Sequence, residues 1–177
     1  VLILALILAN LNMSTFSVYF QLGIGHILDV NGYDHILFII ALCALYNFSD
    51  WRKVLILVTA FTIGHSLTLA LSVFNVITVS SDLIEFLIPI TIFITAFSNI
   101  ARKERSYSRN KIQTNYIFAI VFGLIHGLGF SNFLKSILGK SSNVVMELLA
   151  FNLGLEVGQI VVVLVFLIVA STIAFIF

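Results

Sequence analysis

Apolar stretches as long as a bilayer is thick dominate this chain and leave few folds open to it. A helix needs about 20 predominantly apolar residues to cross the hydrocarbon core of a membrane. We assign six apolar stretches, at residues 1–22, 34–47, 54–73, 83–100, 115–133 and within 146–177. The first is interrupted by "NLNMS" and the second is short. Only 10% of the residues are charged, against about a quarter in soluble domains. We therefore expect an all-α fold, a polytopic integral membrane protein that bundles about six transmembrane helices into a single domain over residues 1–177.

The first apolar run permits two interpretations. Its sequence, "VLILALILA" at residues 1–9, suits either the apolar part of a signal peptide or the start of a membrane helix. We favour the helix, because "TFSVYFQLGIG" at residues 15–25 extends the run and no clear A-x-A cleavage site follows. Residues 1–10 then belong to the first span.

The positive charges predict an orientation in a bacterial cytoplasmic membrane. Residues 51–53 and 101–111 hold seven of the nine Lys and Arg residues, and positive loops stay in the cytoplasm. Lys135 and Lys140 are a mild exception on the outer side. We expect a multi-pass protein with both termini in the cytoplasm and residues 26–34 at the outer face.

The composition argues against nucleic-acid binding and against sites built on cysteine. The net charge is +1 and no basic helix is present, so we expect no nucleic-acid partner, and the apolar stretches predict the lipid bilayer as a partner. The single cysteine, Cys43, allows neither an intrachain disulfide framework nor a thiolate metal motif.

Titratable side chains interrupt the apolar stretches. Such residues are costly in a membrane and mark functional sites, unless they only join two helices by a hydrogen bond. Their helical spacing places them in stripes, since residues three, four or seven apart share a face. The stripes contain Thr62, His65 and Ser72 in the third stretch, Asp82 and Glu85 in the fourth, and Asn152, Glu156 and Gln159 in the sixth, while His126 lies among glycines in the fifth.

Counting residues from the end of each stretch predicts that several of these side chains lie at the same depth in the membrane. His65 and His126 each follow the start of their stretch by 11 residues, which at ~1.5 Å per residue puts both roughly 16 Å from the cytoplasmic end. Glu156 lies at a similar level when counted from the outer end of its stretch. We therefore expect the polar residues to converge in the outer half of the bundle.

The donor set predicts the kind of ligand. Imidazole and carboxylate without thiolate suit a divalent transition metal such as nickel, zinc, cobalt or iron. The pair Asn31-Gly32 marks a turn that can fold His26 back towards His35. The candidate ligands are His26, Asp34, His35, His65, Glu85, His126 and Glu156.

Five stretches of the chain resemble the HupE/UreJ family of membrane proteins, in its shorter branch. They are "GIGHILDVNGYDHILFIIAL", "LVTAFTIGHSLTLALS", "LIEFLIPITI", "FGLIHGLGFSNFL" and "FNLGLEVGQ", in order between residues 23 and 159. The resemblance implies a six-helix accessory protein found with nickel hydrogenases and ureases, with maturation proteins of these metalloenzymes as partners. It also implies a role as a nickel or related metal permease. The family's histidine and acidic positions match the seven candidate ligands.

Three functions remain open. The first is a metal permease or metal-delivery protein, which we favour, so that we expect no enzyme. The second is a metal-dependent intramembrane hydrolase acting on a lipid or lipoprotein, with Glu85 or Glu156 as general base. The absence of a second cluster of carboxylates or histidines towards the cytoplasm favours this alternative. The third is a structural or sensing membrane subunit whose histidines only join helices.

Overall fold

A computed structural model describes residues 15–101, 109–138 and 143–176. These ranges contain α-helices, one short 3-10 turn at Phe48–Asp50 and no strand, so the predicted all-α class is confirmed. The helices are α1 Thr15–Leu28, α2 Asp34–Cys43, α3 Trp51–Val73, α4 Ser81–Ala101, α5 Arg109–Gly129, α6 Ser131–Leu138 and α7 Val144–Ile176.

The described residues do not confirm the six spans expected from the sequence. Within the described ranges, three helices are long and apolar enough to cross a membrane: α3 with its preceding turn, α4 and α7. The pair α5 and α6, bent by 50° at Phe130, gives a fourth if it counts as one span. The 10 residues of α2 reach only ~15 Å, half the thickness of the hydrocarbon core. These apolar helices indicate a membrane protein.

The first predicted span lies partly outside the described residues. The signal or helix alternative for residues 1–10 falls there, and the described part begins with α1 at Thr15. A tight turn then connects α1 to α2. The amide of Asn31 donates to Asp29 Oδ1 over 2.9 Å, and the Gly32 amide donates to the Asp29 carbonyl over 3.1 Å. Asp29 therefore holds the turn that returns the chain towards the end of α1.

Glycines allow α3 and α5 to meet backbone to backbone. A Cβ atom at Gly123 would overlap the carbonyl oxygen of Phe61, and one at Gly127 would overlap the carbonyl oxygen of His65. Gly64 on α3 faces α5 in the same way. Small residues permit such close approach of membrane helices, and here the contact fixes the height of His65 relative to α5.

The helices α1 and α7 form a second close pair. A Cβ atom at Gly23 would overlap the Phe151 carbonyl oxygen, and one at Gly154 would overlap that of Phe20. The short helix α2 contacts both α4 and α7, and its fully buried Phe38 belongs to the same apolar core as Phe151. The site described next lies where these helices meet.

Candidate metal centre

Four helices bring their histidines together. His26 lies in the last turn of α1, His35 in the first turn of α2, His65 in α3 and His126 near the end of α5. The ring centroids of His26 and His35 are 4.6 Å apart, and those of His35 and His65 are 6.0 Å apart. The ring centroid of His126 lies 5.3 Å from that of His35.

Three of these imidazoles are close enough to share one ion. Ligand nitrogens of His26, His35 and His65 all lie within 4.8 Å of one another. Around a tetrahedral ion with metal–nitrogen bonds of 2.0–2.1 Å, such nitrogens are about 3.4 Å apart. A movement of roughly 1 Å by the side chains would therefore close a three-histidine site.

Five of the eight histidine nitrogens are buried and have no hydrogen-bond partner. His65 is 0% exposed and His126 is 1% exposed. Buried atoms without a hydrogen-bond partner are His26 Nε2, His35 Nε2, both nitrogens of His65, and His126 Nδ1. An unsatisfied buried polar group costs about 1–3 kcal/mol, and most such groups are paired. A cluster of unpaired nitrogens around one point is what a cation site requires.

The fourth histidine has a hydroxyl partner. His126 Nε2 lies 3.0 Å from Thr91 Oγ1 of α4, and both residues are buried. This hydrogen bond connects α4 to the histidine cluster. This leaves Nδ1 as the unpaired nitrogen of His126.

Aromatic rings surround the imidazoles. The Phe130 ring lies 3.9 Å from that of His26, centroid to centroid, and stacks on Phe151 at 5.1 Å with an interplanar angle of 7°. Phe38 and Phe61 flank His126 at 5.2 and 5.3 Å. Phe130 occupies the break between α5 and α6, so the bend places its ring on His26. Such an apolar shell limits the access of water to a metal site.

The predicted carboxylates do not belong to the group of closely spaced ligand atoms. Glu85 is exposed on α4, while Glu156 Oε1 accepts a hydrogen bond of 2.7 Å from Thr59 Oγ1. Asp34 precedes His35 and is half-buried. Among the described residues, the group of ligand atoms within 4.8 Å of one another contains no carboxylate.

Two residues beside the histidines were not among the predicted ligands. The Asn152 side chain lies against the His65 imidazole, although neither ring nitrogen meets hydrogen-bond geometry with it, and Asn152 Oδ1 is buried without a partner. The polar stripe of the sixth stretch contains Asn152, so a signal for it existed. The hydroxyl of Thr91 gave no signal, because one threonine in an apolar helix commonly bonds to its own backbone.

Comparison with known proteins gives one match. A family model described as HupE / UreJ protein matches residues 5–175. No curated protein and no solved structure matches the chain. The matched range includes all four histidines and nearly all of the described helices.

Proposed function

Because the chain belongs to the HupE/UreJ family, we propose that it is a membrane protein that binds a divalent transition metal at its histidine cluster and acts in the uptake or delivery of that metal. The observation that carries this proposal is the group formed by His26, His35 and His65, whose ligand atoms lie within 4.8 Å of one another. Nickel is the first candidate, and zinc, cobalt and iron also suit imidazole ligands.

The unpaired nitrogens favour a metal over a purely structural role. A histidine that joins helices does so by hydrogen bonds, yet neither nitrogen of the fully buried His65 has such a partner. A bound cation would satisfy these nitrogens together. The structural alternative would leave several of them unpaired, at a cost of about 1–3 kcal/mol each.

The position of the carboxylates favours metal handling over hydrolysis. A metal hydrolase needs a general base within hydrogen-bond reach of the metal-bound water. Glu85 is exposed, and Glu156 is hydrogen-bonded to Thr59. Neither belongs to the group of closely spaced ligand atoms among the described residues, which favours metal handling over hydrolysis.

We further propose a direction for the ion. With the positive segments in the cytoplasm, both termini are cytoplasmic and the α1–α2 turn faces outwards, so that an ion enters past Asp29 and Asp34. Thr59 precedes His65 by six residues of α3, or ~9 Å along the helix axis. The Glu156–Thr59 pair would then offer the ion a polar position between the cluster and the cytoplasm, which weakens the main objection to transport.

Metal analysis of the purified protein tests the proposal. The wild type, His35→Ala and Ser136→Ala are purified in detergent and supplied in turn with Ni²⁺, Zn²⁺, Co²⁺ and Fe²⁺, and the metal retained per chain is measured. Ser136 is exposed and its hydroxyl donates to the Phe133 carbonyl, so it serves as the control. We expect stoichiometric retention of at least one metal by wild type and control, and a large loss in His35→Ala. Equal retention in all three, or none in the wild type, would contradict the proposal.

Proteoliposome uptake then distinguishes a permease from a metal-delivery protein. Vesicles containing the wild type should accumulate the retained metal faster than vesicles containing His35→Ala. Binding without accumulation would leave delivery to a partner as the function.

A further inference from the structure

The contact between Thr91 and His126 determines which nitrogen of His126 can bind a metal. A neutral imidazole carries its proton on one nitrogen and a lone pair on the other. Only the nitrogen with the lone pair can coordinate an ion. The tautomer is set by the hydrogen bond that the other nitrogen makes.

The hydroxyl group of Thr91 donates its proton to a backbone carbonyl group. Thr91 Oγ1 lies 2.7 Å from the carbonyl oxygen of Ile88, and a carbonyl oxygen can only accept. A hydroxyl has a single proton, so Thr91 donates it to Ile88. The 3.0 Å contact with His126 Nε2 is then a hydrogen bond only if the imidazole donates, which places the proton of His126 on Nε2.

His126 Nδ1 consequently carries the lone pair. This atom is buried and has no hydrogen-bond partner, and the ring to which it belongs lies 5.3 Å from that of His35. The lone pair on Nδ1 is therefore the one that His126 can offer to an ion. In the opposite tautomer Nδ1 would carry the proton and could not coordinate a cation.

We propose that Thr91 is a positioning residue that holds His126 as an Nδ1 donor for the metal at the histidine cluster. The proposal rests on the proposed function and identifies how α4, which contributes no histidine, takes part in the site. Metal-binding histidines generally donate their second N–H group to a partner of this kind, and removing that partner lowers metal affinity by about 10- to 100-fold.

Three variants of α4 test the affinity part. Thr91→Val keeps the side-chain volume and removes the hydroxyl, while Thr91→Ser keeps the hydroxyl. Thr95→Val is the matched control, because Thr95 is also buried and donates to the Thr91 carbonyl over 2.8 Å. Competition with a chelator gives the affinities for Ni²⁺ and Zn²⁺. We expect a 10- to 100-fold loss in Thr91→Val, with Thr91→Ser and Thr95→Val close to wild type.

Nitrogen NMR of the metal-free protein tests the tautomer part directly. With ¹⁵N-labelled histidine and His126→Asn to assign the resonance, we expect His126 to be protonated at Nε2 in the wild type and in Thr91→Ser. In Thr91→Val the Nε2–H population should fall. A simple packing defect would not change the tautomer, so this readout separates positioning from folding.

The outcomes distinguish this proposal from the proposed function. Protonation of wild-type His126 at Nδ1, or wild-type affinity in Thr91→Val, overturns the role of Thr91 while leaving the metal site intact. An equal loss in Thr95→Val also overturns it, because the effect would then be general to α4. If the wild type binds no metal, the proposed function fails, and the role of Thr91 as a metal-site residue fails with it, whatever the tautomer.

Discussion

At the scale of single residues, the absence of a side chain is as important to the site as the imidazoles. Gly127 lies against the backbone of His65 and against the Thr68 hydroxyl, with no space for a Cβ atom. It also follows His126 directly. A larger residue would push α5 away from α3 and would carry two histidines apart.

We therefore predict that Gly127→Ala destabilises the protein and weakens metal binding. Overpacking of a close contact costs about 1–3 kcal/mol. Gly25→Ala is the matched control, because a Cβ atom at Gly25 meets nothing within 4 Å; alanine there should be neutral or slightly stabilising, by up to ~1 kcal/mol. Unfolding free energies in detergent and chelator competition give both quantities. Equal stability of the two variants would contradict the close α3–α5 contact.

The sequence predicted the neighbourhood of His35, His65 and His126 because depth along a helix follows from counting residues. It could not give the direction in which each side chain points around the bundle. Glu156 therefore shared the predicted level but bonds to Thr59, and Glu85 lies exposed on α4. His26 could be placed near His35 because the Asn31-Gly32 turn is encoded locally. The hydroxyl of Thr91 depends on tertiary packing alone.

At the scale of helices, polar side chains join α3 to α7, whereas glycines allow the close contacts of α3 with α5 and of α1 with α7. Thr62 Oγ1 donates to Gln159 Oε1 over 2.8 Å, one turn from the Thr59–Glu156 contact. Both Thr62 and Gln159 are buried. Hydrogen bonds of this kind between membrane helices contribute about 0.6 kcal/mol on average and at most about 1.7.

A double-mutant cycle measures this contact. Thr62→Val and Gln159→Leu should each destabilise the protein, and the pair should show a coupling of about 0.6–1.7 kcal/mol. Thr62→Val combined with Thr172→Val, at the far exposed end of α7, should be additive within about 0.5 kcal/mol. The quantity measured is the unfolding free energy in detergent. A coupling no larger than in the control cycle would show that the two side chains do not interact.

The break between α5 and α6 is a second feature of the helices that affects the site. The sequence predicted one continuous span over residues 115–133, whereas the structure bends by 50° at Phe130. Gly127 and Gly129 precede the bend, and glycine is a poor helix former by about 1 kcal/mol relative to alanine. The bend was not predicted from the sequence, and Phe130 at this position packs on His26 and Phe151.

We predict that Phe130→Ala accelerates release of the metal. Removing the ring opens a route for water to the His26 imidazole, which the aromatic shell otherwise limits. The rate of metal transfer to an added chelator should rise several-fold, while Phe86→Ala, at an exposed position on α4, should leave it unchanged. Identical rates in the wild type and both variants would mean that Phe130 does not protect the site.

At the scale of the whole molecule, orientation in the membrane decides which side of the site receives the ion. The positive segments predict that the α1–α2 turn faces outwards. The exposed side chain of Asp29 in that turn and residue 106 in the positive segment are expected on opposite sides.

Cysteine labelling of intact cells tests the orientation. The background is Cys43→Ala, which removes the one native thiol, a fully buried one. A membrane-impermeant maleimide should label Asp29→Cys and leave Ser106→Cys unmodified until the cells are opened. The reverse pattern would invert the orientation and move the entrance for the ion to the cytoplasmic side.

The backbone contacts through glycine have a mechanical consequence. Where the backbones of two helices touch, no side chains between them can repack. We therefore expect the α1–α7 pair and the α3–α5 pair each to move as a rigid unit. The hydrogen bonds Thr59–Glu156 and Thr62–Gln159 connect the two pairs, and we expect this contact to deform more easily than either pair. His26 lies in the α1–α7 pair and His65 in the α3–α5 pair, so an ion coordinated by both would link the two pairs. Movement of one pair relative to the other would then change the metal–histidine distances, and release of the ion would be coupled to that movement.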